Sequence, residues 1–186
     1  MPAQRYAGEE PMSISAKQAE ILIQQLGVLV VDDNPYMRTV VRNLLHNIGV
    51  KKIFDAGDGI AALEMIRHAA PDVVVLDWEM PLLNGAELVR IVRSPGVFPT
   101  PDVPIIMLTA HGERWRIIEA IKLGVNEFLC KPVSAKALLD RLVSILLKPR
   151  ESIQLGNYYG PAPRRSMLPA IDPPEPDPDP ELPPAA

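Results

Sequence analysis

Five side chains capable of chemistry stand where apolar runs stop. "VLVVDD" ends in Asp32 and Asp33, "VVVLD" in Asp77, "IIMLT" in Thr109 and "EFLCK" in Lys131. Continuous branched runs of this kind suit parallel strands covered on both faces, and a charge cannot prolong one without desolvation cost. In open parallel sheets, ligands bind beyond the carboxyl ends of the strands. If the runs are parallel strands, the distant acids share one edge with a hydroxyl and an ammonium.

Three carboxylates in one pocket repel each other. At an effective dielectric of about 20, like charges about 4 Å apart cost about 4 kcal/mol per pair. A proton or a cation must relieve this. Acidic oxygens on a partly open edge suit Mg2+, which keeps several waters and binds through one or two carboxylates. A carboxylate held there can attack phosphorus and form an aspartyl phosphate. The equatorial oxygens then need positive charge and donors, which Mg2+, Lys131 and Thr109 would supply.

The segments between these positions read as alternating strands and helices. Strands are expected at 27–32, 51–57, 72–77, 103–110 and 127–130, and helices at 35–49, 58–69, 85–94, 112–124 and 134–148. Pro35 suits a first helical turn, Asp58 and Ser134 suit N-caps, and Gly49 and Gly124 suit helix ends. Five such units predict a doubly wound α/β sheet. Residues 1–12 read as unstructured, and 13–26 as a further helix capped by Ser13 or Ser15.

Composition narrows the classes. At 186 residues and 47% apolar, the chain has room for one domain with tails. The single cysteine, Cys130, excludes an internal disulfide and fits a reducing compartment. It reads as a small buried hydrophobe. No secretory leader is visible, and no apolar run approaches the roughly 20 residues that span a bilayer. We therefore expect a cytoplasmic protein without a membrane partner. The net charge is −4, but residues 171–186 carry five acids and no base, which leaves the rest at +1. A near-neutral body lacks the basic field of DNA-binding proteins. Residues 160–186 hold ten of the 21 prolines, so 149–186 is expected to be a Pro-rich, extended and disordered tail.

Taken together, "VLVVDDN", "VVVLDWEMP", "IIMLTA" and "FLCKP" resemble, in order and spacing, the receiver domain of two-component response regulators. The resemblance covers about residues 27–148. It implies a flavodoxin-like sheet with strand order 2-1-3-4-5. It also implies Asp77 as phosphoacceptor and Asp32 and Asp33 as the metal-binding pair, with the backbone carbonyl of Glu79 completing a Mg2+ site. Thr109 then becomes the switch hydroxyl, Lys131 the phosphoryl contact before a cis Lys131–Pro132 bond, and Phe128 the switch aromatic. Glu79 and His111 fall at positions that tune phosphate lifetime. Met80 and Pro81 shape the loop after the acceptor, and His46 and His68 belong on solvated helix faces without a role.

The implied function is that of a stand-alone response regulator. A histidine kinase or phosphotransfer protein donates the phosphoryl group, and a downstream protein reads the altered surface. The chain is then not an enzyme beyond accepting and slowly losing its own phosphoryl group. A half-exposed Trp115 would anchor a partner, although a Trp lying on its own helix serves equally well, and the apolar outer face of the last helix would either dimerise or receive the N-terminal helix. Two other classes compete. "YYGPAPRR" resembles a tail in which arginines bind a cyclic dinucleotide, through Tyr159, Arg164 and Arg165; a basic spot in a disordered tail is the favoured reading of so short a motif. A Mg2+-dependent phosphatase with an aspartate nucleophile ranks lower, because Glu79 stands where such enzymes carry a second aspartate and Asp77 ends the third strand.

Overall fold

The computed structural model describes residues 16–163. Strands β1 (Gly27–Val31), β2 (Lys52–Ala56), β3 (Val73–Asp77), β4 (Ile105–Thr109) and β5 (Glu127–Cys130) form one sheet in the order β2-β1-β3-β4-β5, with every pair parallel. The expected fold class and strand order are both present. The elements start and stop within about two residues of the sequence expectation, the usual uncertainty of helix and strand ends.

Helices cover both faces, as the continuous apolar strands require. On one side Val28, Val30, Val73, Val75, Ile106 and Leu108 meet helices α2 (Pro35–Asn47) and α6 (Ala135–Leu147). On the other side Leu29, Val31, Val74, Leu76, Ile105 and Met107 meet α3 (Gly59–Ala69), α4 (Gly85–Val92) and α5 (Arg114–Leu123). Successive side chains of each strand thus enter opposite layers. Helix α1 (Ala16–Gln25) lies against α6 and buries Ile23. It takes up the apolar surplus on the last helix; its expected cap at Ser13 or Ser15 lies outside the described residues.

Local chemistry fixes where each helix begins. The Asn34 side chain accepts from the N–H groups of Tyr36 and Met37, and Pro35 opens α2. Asp58 caps α3 through Ala61, and Ser134 caps α6 through Ala137. Asn84 and Glu87 form a reciprocal capping box on α4. Gly124 ends α5 in the left-handed region at φ 89°.

The chain beyond Pro149 departs from the expected extended tail. Residues β6 (Ser152–Leu155) and β7 (Tyr158–Pro161) pair as an antiparallel hairpin around Gly156–Asn157. A two-residue turn led by glycine matches the twist of paired strands. The hairpin is held by the body. The Tyr159 hydroxyl donates to Asp102 at 2.6 Å, and Arg150 donates to the carbonyls of Asn126 and Ala162. The proline-dense stretch from Arg164 onward lies outside the described residues.

Arg93, at the end of α4, is the one buried arginine among the described residues. Its guanidinium donates to the carbonyls of Gly124 and Pro101 and to the side chain of Asn126. Burial pulls its pKa down to about 10, with Asp102 opposing, so it stays charged at neutral pH. Removing it strands buried acceptors under the hairpin. Arg93→Met is expected to lower the unfolding free energy by about 2–4 kcal/mol in urea titrations, and to release β6–β7 first, visible as faster amide exchange at 152–161 than in β1 or β3.

Candidate functional site

The carboxyl ends of β1, β3 and β5 bring Asp32, Asp77 and Lys131 into contact. The Lys131 ammonium lies 2.9 Å from Asp32 Oδ2 and 2.9 Å from Asp77 Oδ1. Asp32 is buried through its place at the strand end, and its Oδ1 accepts from the Asn34 N–H at 2.9 Å. Asp77 is 5% exposed. Asp33 faces solvent beside them. One carboxylate oxygen from each of Asp32, Asp33 and Asp77 falls within 4.8 Å of the others. That donor set, all oxygen and open on one side, could hold a hard divalent cation.

The electrostatics follow from burial. Desolvation pushes the Asp77 carboxyl above its ordinary pKa, and the neighbouring Asp32 adds to this. The Lys131 ammonium and the Trp78 N–H pull the other way without cancelling it. For Lys131, burial disfavours the charge, but the two carboxylates outweigh it and raise the pKa. The ammonium therefore stays charged at neutral pH, while the central acid is costly to ionise.

Thr109, at the end of β4, is fully buried. Its hydroxyl accepts from the His111 N–H at 3.0 Å, and its carbonyl accepts from the Lys131 N–H at 2.7 Å. The Lys131–Pro132 bond is cis, as expected. Phe128 is half-buried on β5, paired in register with Met107. Glu79 and His111 stand exposed at the mouth and meet each other, Nε2 to Oε1, at 3.3 Å. Asp32, Asp33, Asp77, Glu79 and Lys131 line one open cleft with Asn34.

Several participants escape a reading by motif. Arg38 donates to the Asp32 carbonyl at 2.8 Å and so braces the acidic turn from α2. Gly85 donates to the Trp78 carbonyl at 2.9 Å, and a side chain there would strike the carbonyl oxygen of Asp77. The loop after Asp77 is thus seated directly on the start of α4. The sequence signal for this seat is Asn84-Gly85 followed by Glu87, a capping box with glycine at its first helical position. Arg116 lies over the Trp78 ring and 3.5 Å from Glu79.

Other expectations are corrected or confirmed in place. Cys130 is exposed rather than buried, because β5 ends there and its side chain clears the sheet near Gly112. His46 and His68 are exposed, and Trp115 is 57% exposed. Tyr159 belongs to the hairpin, whereas Arg164 and Arg165 lie outside the described residues.

Comparison with known proteins decides the family. The model described as "Response regulator receiver domain" matches residues 28–143. The chain belongs to the response regulator receiver family. It is 38% identical to the chemotaxis protein CheY-3 of Vibrio cholerae over 125 residues, which covers 67% of this chain and 95% of that one. Against CheY1 of Helicobacter pylori it is 38% identical over 120 residues, 64% of this chain and 95% of that one. Among solved structures, the receiver domain of the Francisella response regulator 1452 superposes with a TM-score of 0.59 at 34% identity, covering 67% of this chain and 98% of that one. Among the described residues, no helix of this receiver is long and apolar enough to cross a membrane.

The raised pKa of Asp77 makes a sign prediction. The folded receiver binds that proton to higher pH than the unfolded chain, so this group's contribution to stability is lost as pH rises above its unfolded value of 3.8. Asp77→Asn removes the burden. In the absence of divalent cations it is expected to be the more stable protein at pH 7, by about 1 kcal/mol. The gap should close as pH falls toward 3.8, measured by urea unfolding across that range.

Proposed function

We propose that the chain works as a stand-alone response regulator that accepts a phosphoryl group on Asp77. The observation that carries this reading is the Lys131 ammonium in contact with both Asp32 and Asp77 at the edge where Asp33 also stands. The receiver unit in this reading spans about 27–148. An Asp77 oxygen attacks phosphorus in a phosphohistidine of a histidine kinase or phosphotransfer protein. The O–P bond forms as the P–N bond breaks, and the imidazole leaves with the electron pair. Lys131 holds one phosphoryl oxygen, and Thr109 turns its hydroxyl from the His111 N–H toward another. Asp32, Asp33, Asp77 and the Glu79 carbonyl would hold Mg2+, which when bound neutralises charge on the transferring group.

Loss of the phosphoryl group to water regenerates the carboxylate, so the protein is a switch and not a turnover catalyst. The movement of Thr109 frees space for Phe128 to turn inward, by packing alone since Phe carries no hydroxyl. Phe128 lines a groove with Ile117, Ile121 and Arg141 between α5, β5 and α6, which suits this surface to a downstream protein. Tyr36, in the first turn of α2, and Leu82, on the loop after β3, stand exposed, where a donor protein would approach.

The decisive test is labelling by a radiolabelled small acyl phosphate with Mg2+. Wild type should take up to one label per chain. Asp77→Asn should take none, and chelation of Mg2+ should abolish labelling of wild type. Persistent labelling of Asp77→Asn would refute the assignment, and continued release of phosphate from an ester would favour the phosphatase reading.

A second reading has one specific observation in its favour. The hairpin closes a polar cleft lined by Arg90, Lys122, Asn157, Tyr158 and Tyr159. Cationic side chains beside tyrosine rings suit the phosphates and bases of a cyclic dinucleotide, with Arg164 and Arg165 adding to the grip. Calorimetric titration of a cyclic dinucleotide should show binding to the full chain and at least tenfold weaker binding to Arg164→Ala/Arg165→Ala. Equal affinities would remove the tail arginines from the function.

A further inference from the structure

Arg116 sits in an unusual place for a solvent-edge cation. Its guanidinium carbon is 4.9 Å from the Trp78 ring centroid and 4.5 Å from that of Trp115. Trp78 is buried, and it directly follows Asp77. One arm of the guanidinium, Nη2, lies 3.5 Å from Glu79 Oε1, while the buried Nε has no hydrogen-bond partner. Stacking therefore fixes the plane, and the free arm is aimed at one carboxylate. His111 meets the same Glu79 oxygen through Nε2, and Glu113 through Nδ1 at 3.6 Å. Glu79 is thus drawn toward the start of α5.

That arrangement answers a problem the site poses for itself. Glu79 lines the same cleft as Asp32, Asp33 and Asp77. A phosphodonor arrives as an anion, and an uncompensated fourth carboxylate at the mouth would repel it. We propose that Arg116 is a positioning residue for phosphoryl acceptance: it holds and neutralises the Glu79 side chain, and thereby sets how fast an anionic donor reaches Asp77. The inference rests on the assignment of Asp77 as phosphoacceptor. It identifies a residue on α5, 39 positions from Asp77 in sequence, that acts through Glu79 and touches neither the donor nor the acceptor oxygen.

The test uses the full chain, acetyl phosphate and Mg2+. The O–P bond to Asp77 forms as the donor's P–O bond breaks and acetate leaves. Arg116→Gln keeps a planar group between the indoles and removes the charge; Arg116→Ala removes both. At low ionic strength each is expected to accept the phosphoryl group on the order of five-fold more slowly than wild type. The deficit should shrink in 0.5 M salt, to within about two-fold, as screening replaces the arginine. It should also vanish when Glu79→Gln is added, since the charge to be neutralised is then gone. Equal rates for wild type and Arg116→Gln, or the same deficit in the Glu79→Gln background, would overturn the role of Arg116. A wild type that takes no label would instead sink the assignment of Asp77, and this inference with it.

Discussion

The structure turns on one ammonium between two carboxylates. Lys131 bonds Asp32 and Asp77 at equal distances of 2.9 Å, although β5 is separated from β1 in the sheet by β3 and β4. Hydrogen bonding along the strands cannot join those ends; only a side chain reaching across them can. Two acids buried at neighbouring strand ends would otherwise repel at low dielectric, and the lysine offsets that cost while tying all three groups together at the sheet edge. The lysine takes one oxygen of each carboxylate, Oδ2 of Asp32 and Oδ1 of Asp77.

Around that pair, the loop after Asp77 is gripped from two sides. Gly85 brings the start of α4 against the Asp77 and Trp78 backbone, close enough that no other residue type fits. Arg116 and His111 take hold of the next side chains from the β4–α5 side. A change at Asp77 therefore reaches two helices through direct contacts. The buried sheet serves as the fixed frame, and the loops on its carboxyl edge are the parts free to respond.

How much of this could be read from residues alone depends on what each signal encodes. The branched runs at β1, β3 and β4 specify burial on both faces, and that by itself dictates parallel strands and the edge at which Asp32, Asp77 and Thr109 gather. Caps at Asp58 and Ser134 and the glycine stop at 124 are local chemistry and were equally legible. What escaped depends on long-range packing. Arg116 is an ordinary helix arginine until two indoles close on it. Cys130 looks like a core residue by type, but it sits where β5 runs out and the chain turns to solvent. The hairpin had its signal in Gly156–Asn157 between "SIQL" and "YYGP", and the prolines that follow masked it. Composition averaged over 149–186 cannot see a pairing ten residues long.

The hairpin also changes how α5 has to be viewed. Its first turn carries Trp115 and Arg116 beside Glu79, at the carboxyl edge of the sheet. Its far end is Gly124, whose carbonyl accepts from Arg93 and whose Cα is packed against Gly160 and the Tyr159 carbonyl. One helix of ten residues, about 15 Å long, thus touches both the acidic cleft and the C-terminal hairpin. It is also the least embedded of the helices that follow β1, β3 and β4: α5 fully buries only Ala120, whereas α2 buries Val41 and Leu45 and α4 buries Gly85, Ala86, Leu88, Val89 and Val92. A helix with so little apolar anchoring is the cheapest element to displace, and elements that move are drawn from that end of the stability range. In this chain Arg116, which meets Glu79, lies in the first turn of α5, and Gly124, against which the hairpin packs, caps its other end.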